Sequence, residues 1–149
     1  MKTRRPKGFL NVDLEIESRF RLDPLLEYLS DSVGVHYCGP TPGTKAYLLA
    51  VDSARFTKSP GAAILALCAS VDRLPPPGRR LWDLAQRRTF DVGYEMEARA
   101  RTITFRLKPE ILRRLADLGA TLAVTCYRRL GANKTLHLTA GRPKAAGSR

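Results

Sequence analysis

Two stretches of this chain carry carboxylates in a repeating phase. In Phe9–Glu17 the residues Asp13, Glu15 and Glu17 recur every second position, and in Thr89–Glu97 the residues Asp91, Glu95 and Glu97 share one phase. A period of two places such residues on one face of a strand, so six of the 14 acids are expected to project from a wet sheet face. Rows of this kind suit contact with a basic protein partner, coordination of a divalent ion, or a general acid–base pair. They are also an ordinary solvated face, with Arg19, Arg21, Arg99, Arg101 and Arg106 as the expected cross-strand counter-charges. Any working role is assigned to partner binding, and no residue is assigned as catalytic or as a metal ligand. A nucleic-acid surface must lie elsewhere, because this face repels phosphates.

A second set with chemical potential is His36, Cys38 and Cys126. His36 and Cys38 are two apart on one predicted strand and are expected to point the same way. Cys126 ends another strand in the matching place. Together they sketch a His–Cys–Cys zinc site or a Cys–His nucleophile. Zinc sites use closely spaced ligand pairs, and a thiol nucleophile needs its base oriented by a third group. The expectation is therefore a half-buried histidine and core cysteines. His137 is the remaining histidine, in a weakly patterned segment.

The basic residues Arg73, Arg79, Arg80, Arg87 and Arg88 surround Trp82 and are the alternative candidate, an anion or RNA surface. Arginine beside an exposed aromatic suits nucleic acid, but a lone tryptophan belongs more often to a core. Pro40-Thr41-Pro42-Gly43 and Pro75-Pro76-Pro77-Gly78 have no phosphate-loop spacing. Their prolines also lack the N–H groups a phosphate cradle uses. Both are read as loops.

The elements that must position these residues are legible in the same patterns. Phe9–Glu17 alternates with Leu10, Val12, Leu14 and Ile16 inward. Asp23-Pro24 offers an N-cap and a first helical residue for a short helix to about Ser30. Val33–Cys38 and Lys45–Asp52 read as strands. Ser59-Pro60 opens a helix that is apolar nearly all round from Ala62 to Val71, a pattern of burial on several sides. The proline run stops it, and Arg80–Ala85 forms one further turn. Thr89–Glu97 and Thr102–Leu107 both alternate, and Ala98-Arg99-Ala100 between them predicts a hairpin. Pro109 then opens a helix with the stripe Ile111, Leu112, Leu115 and Leu118. Gly119 closes it, and Thr121–Tyr127 is the last clear strand, with Thr135–Thr139 a weak edge strand. Phe20-Arg21-Leu22-Asp23-Pro24 matches Phe105-Arg106-Leu107-Lys108-Pro109, each followed by a leucine-rich helix and a strand. The pattern predicts an α+β fold: a mostly antiparallel sheet of about six strands, helices packed on one face, and a ferredoxin-like internal duplication as its economical form. The pseudo-repeats occupy about 9–52 and 89–127 and are joined by a central helix at 60–73.

At 149 residues one domain is expected, here residues 9–140, burying about 70% of the unfolded chain's surface. The net charge is +12. Lys2, Arg4, Arg5 and Lys7 in residues 1–8 and Arg142, Lys144 and Arg149 in residues 141–149 supply +7 of it. Both ends are read as disordered basic segments, an arm and a tail. The three cysteines, with no CxxC pair, fit reduced thiols rather than a disulfide framework. No apolar run reaches the roughly 18–20 residues of a membrane span, which makes a cytoplasmic protein without a membrane role the expectation.

Three segments, Leu81-Trp82-Asp83-Leu84, Phe90-Asp91-Val92-Gly93-Tyr94-Glu95 and Phe105–Tyr127 with its Leu115-Ala116-Asp117-Leu118-Gly119-Ala120 core, resemble a widespread bacterial domain family of unknown function. Some members of that family lie near toxin–immunity loci. The resemblance spans about residues 80–127 and carries no catalytic residues over. It implies a non-enzymatic, cofactor-free domain that binds a protein partner, in the form of an immunity-type inhibitor. Nucleic-acid binding through the basic surface and tails is the alternative.

Overall fold

The sheet grows outward from β1 (Phe9–Ser18). Val12, Leu14, Ile16 and Ser18 are buried on one face, while Asp13, Glu15 and Glu17 are half-buried on the other. β1 pairs antiparallel with β3 (Tyr47–Ser53) and with β4 (Arg87–Met96), and β2 (Val33–Pro40) pairs antiparallel with β3. β5 (Thr121–Arg128) lies parallel to β4, giving the order β2-β3-β1-β4-β5. The computed structural model describes residues 8–54, 57–97 and 102–128.

Four helices supply the other layer: α1 (Asp23–Leu29), α2 (Pro60–Asp72), α3 (Pro76–Leu84) and α4 (Pro109–Asp117). Their residues Leu25, Leu29, Ile64, Leu67, Trp82, Ile111 and Leu115 join Leu14, Ile16, Leu49, Val51, Phe90 and Val92 in one core. Each such side chain contributes about 1.5–3 kcal/mol on leaving water. The helices therefore cover one sheet face and leave the carboxylate face open, as the alternation predicts. Ser59 caps α2 by accepting from the Ala62 N–H at 3.2 Å. Gly119, at φ +62°, ends α4 in the left-handed region glycine favours.

The structure corrects several expectations. Among the described residues there are five strands, not six. Thr102–Leu107 keeps its alternation, with Ile103, Phe105 and Leu107 packed against the core, but it makes no ladder. The predicted hairpin with β4 is absent because both edges of β4 are taken, one by β1 and one by β5. The segment is the crossover that lets β5 run parallel to β4, and its Phe105 ring lies 5.9 Å from that of Tyr94. The two matching segments consequently differ in geometry. β1 and β2 are separated by β3, whereas β4 and β5 are neighbours, so the ferredoxin-like duplication is not what these strands show.

A register shift between Phe9 and Val12 buries Phe9 and leaves Leu10 39% exposed, reversing the inward place expected for Leu10. Leu22, not Asp23, holds the N-cap of α1. Asp23 opens that helix, where a negative charge suits the dipole. The proline run does not end in a loop either. Pro76–Gly78 forms the first turn of α3, since prolines at the start of a helix forfeit no intrahelical bond. The connection Ala98–Ala100, the weak strand Thr135–Thr139, His137, residues 1–7 of the basic arm and the tail lie outside the described residues.

Candidate site on the open sheet face

Strand register decides what the carboxylates can do. Asp13 is the cross-strand partner of Asp52 on β3 and also of Asp91 on β4. Three aspartates therefore form a transverse row over three adjacent strands. Along β1 the face continues with Glu15, opposite Thr89, and Glu17, opposite Arg87. Like charges directly opposite each other on a sheet are destabilising, so the row needs compensation.

Part of that compensation comes from His36. A register shift between Val35 and Tyr37 marks a bulge in β2. Gly34 pairs with Asp52, so alternation puts His36 on the open face, with Nε2 3.2 Å from Asp52 Oδ2 and 3.5 Å from Asp13 Oδ1. Beyond the bulge the phase is changed, so Cys38 pairs with Leu49 and packs against the core. His36 and Cys38 do not point the same way; the His36 side chain is 49% exposed, and Cys126 is exposed instead of belonging to the core.

The remaining polar contacts fix the aspartates. The Asn11 side-chain amide donates to Asp13 Oδ1 at 2.7 Å, and the Thr125 hydroxyl lies 2.7 and 2.9 Å from the two Asp91 oxygens. Two glycines make room for this arrangement. A Cβ at position 34 would stand 2.5 Å from Asp52 Oδ1, and one at position 93 would stand 3.1 Å from Asn11 Oδ1. Burial raises the Asp13 carboxyl above its ordinary value; His36 opposes the rise, and Asp52, Asp91 and Glu15 add to it. Tyr127 on β5 is raised chiefly by burial, then by Asp91, Asp13 and Glu15.

Of the sequence-selected acids, Asp13, Glu15, Glu17, Asp91 and Glu95 share this face, while Glu97 lies just past the end of β4. The expected arginine counter-charges are elsewhere. Arg21 bonds Asp23, Arg19 is exposed beyond β1, Arg106 lies on the crossover, and Arg99 and Arg101 lie outside the described residues. Among the described residues, the arginine that does pair with an acid on this face is Arg87, with Glu17. Asp52 escaped the sequence reading, since one acid at a strand's end carries no periodic signal. The alternation of Ala50 with Asp52 beside a glycine-containing β2 was the available hint.

The two alternative sites disperse. Trp82 is 1% exposed, and its indole N–H donates to the Leu118 carbonyl at 3.2 Å. Arg88 sits 5.7 Å from that ring's centroid and donates to the Trp82 carbonyl at 2.7 Å. Arg79 pairs with Asp83, Arg73 reaches Ser70, and Arg87 is on the opposite sheet face with Glu17. The arginines thus make no single platform with the tryptophan. Cys126 lies on β5, four strand spacings from His36 on β2, roughly 19 Å at about 4.8 Å per spacing. A shared zinc or thiol site is ruled out by that distance.

No family model, no curated protein and no solved structure matches this chain. No helix among the described residues is long and apolar enough to cross a membrane.

Proposed function

We propose that the domain is a non-catalytic binding module whose open sheet face holds a positively charged segment of a protein partner. The observation that supports this reading is the accumulation of Asp13, Asp52, Asp91, Glu15 and Glu95 on a face that the described residues leave uncovered and where, among them, Arg87, already paired with Glu17, is the arginine set against the acids. Tyr37 and Tyr127 flank the acids on the two edge strands and are 41% and 45% exposed. Exposed aromatic faces add cation–π contact to lysine and arginine side chains. The immunity-type role implied by the family resemblance would use the same surface.

The test is titration of the full-length chain with a labelled octa-arginine peptide, a labelled acidic peptide and a labelled single-stranded oligonucleotide, all with EDTA present. Residue-resolved NMR shifts report where each binds. The expected result is arginine-peptide binding that maps to β1, β3 and β4, weakens with salt, and is lost in Glu15→Lys/Glu95→Lys with circular dichroism unchanged. Equal binding to that variant, or shifts confined to the helix layer, would overturn the proposal. Preferential oligonucleotide binding at Arg73, Arg79, Arg80 and Arg88 would favour the nucleic-acid alternative instead.

A further inference from the structure

We infer that Asp13, His36 and Asp52 form a three-ligand site for one divalent first-row transition ion. This does not rest on the partner-binding reading. The three donor atoms all lie within 4.8 Å of one another, and the imidazole Nε2 is 3.2 and 3.5 Å from the two carboxylate oxygens. Ions bound at roughly 2.0–2.2 Å hold adjacent ligands about 3.0–3.5 Å apart. The imidazole stands at coordination spacing from both carboxylates, and the two carboxylates lie within 4.8 Å of each other, so side-chain rotation can close the three around one ion.

The sequence supplies more than three donors in proximity. Alternation from Gly34, the partner of Asp52, puts His36 on the open face, and the bulge that follows keeps Tyr37 there while turning Cys38 to the core. Gly34 provides the gap into which Asp52 extends, and any side chain there would collide with the carboxylate. Gly93 similarly makes room for Asn11, whose amide orients Asp13. Such supporting groups fix ligand geometry at metal centres. Charge points the same way. Asp13 faces Asp52 on one side and Asp91 on the other, and among the described residues His36 is the ion-pair partner of Asp13 and Asp52. A dication would offset two of the row's three negative charges.

The donor set selects the class of ion. Carboxylates alone favour Mg²⁺, Ca²⁺ and Mn²⁺, while an imidazole shifts preference toward Zn²⁺ and its first-row neighbours. Three protein ligands leave coordination positions for water or for a donor group brought by a partner. Asp91, held by Thr125, stands outside the triad and adds negative potential beside it.

Calorimetric titration of the full-length chain with Zn²⁺, Mn²⁺ and Mg²⁺, without any peptide, tests the inference. One Zn²⁺ per chain is expected, with Mn²⁺ weaker and Mg²⁺ weakest, and binding that fades on acidification because imidazole must shed its proton to ligate. His36→Ala and Asp52→Asn should each lower Zn²⁺ affinity about tenfold or more. Gly34→Ala should also lower it while keeping every ligand, a response a simple surface ion pair would not give. Cys126→Ser, which removes an exposed thiol, should leave it unchanged. Circular dichroism checks that each variant folds. Unchanged Zn²⁺ binding in folded His36→Ala, or loss of binding in Cys126→Ser, would overturn the site. So would an absence of Zn²⁺ binding in the parent, leaving His36 as an ion-pair bridge. Because the peptide titration is run in EDTA, either proposal can fail without the other.

Discussion

Substituting Trp82→Phe separates a structural tryptophan from a recognition platform. The indole is 1% exposed and bonds the Leu118 carbonyl at the end of α4, 36 residues away in sequence. Phenylalanine keeps an aromatic ring but loses that donor, leaving the carbonyl without its indole partner at a cost of about 1–3 kcal/mol. The smaller ring also leaves a void worth about 1 kcal/mol. The sum is about 2–4 kcal/mol. For a chain of this length that lowers Tm by roughly 5–15 °C, at about 2–4 °C per kcal/mol. Far-UV circular dichroism is the assay, because the variant lacks the protein's single tryptophan and has no indole fluorescence. Leu112→Ala, at a side chain 47% exposed on the outer side of α4, is the control and should change stability far less. A Trp82→Phe variant as stable as the parent would refute the view that this indole bolts α3 to α4. In the parent, indole emission should be blue-shifted, poorly quenched by acrylamide and unmoved by oligonucleotide.

Two further perturbations probe the sheet and the thiols. Because burial raises the Asp13 carboxyl, the folded state holds that proton more tightly than the unfolded chain. This group's contribution to stability therefore increases as pH falls through the raised value toward the ordinary 3.8. Asn at position 13 removes the gain, so urea denaturation in EDTA should show Asp13→Asn at its best relative to the parent near neutral pH and at its worst near pH 4. A pH-independent difference would contradict the assignment. The Cys68 thiol is buried and pushed up to about 11, chiefly by burial, whereas Cys126 is exposed. A thiol reagent at pH 8 should modify Cys126 at once and Cys68 only in denaturant; rapid Cys68 modification in the native protein would show that α2 opens readily.

Local periodicity by itself specified much of this protein. The alternation of Val12, Leu14 and Ile16 with Asp13, Glu15 and Glu17 identified a strand with one wet face. Ser59-Pro60 marked the start of α2, Pro109 and Gly119 bracketed α4, and the apolar girth of Ala62–Val71 indicated a helix buried on several sides. These features depend on φ/ψ preference and side-chain period, which act over a few residues. Strand partnership does not. Thr102–Leu107 alternates as well as any strand here, yet β1 and β5 occupy both edges of β4 and leave it as a crossover. The same limit hid the candidate site. Asp13 was visible as one acid of a row, but its placement between Asp52 and Asp91 arises from register, a property of pairing between distant segments. His36 reaches that row because its strand pairs with β3 so that Gly34 stands opposite Asp52, while one extra residue in β2 turns Cys38 to the other face. The sequence thus determined which face of the sheet would be acidic. Only the tertiary structure decided which carboxylates stand side by side and which imidazole meets them, because long-range pairing sets distances that no local pattern encodes.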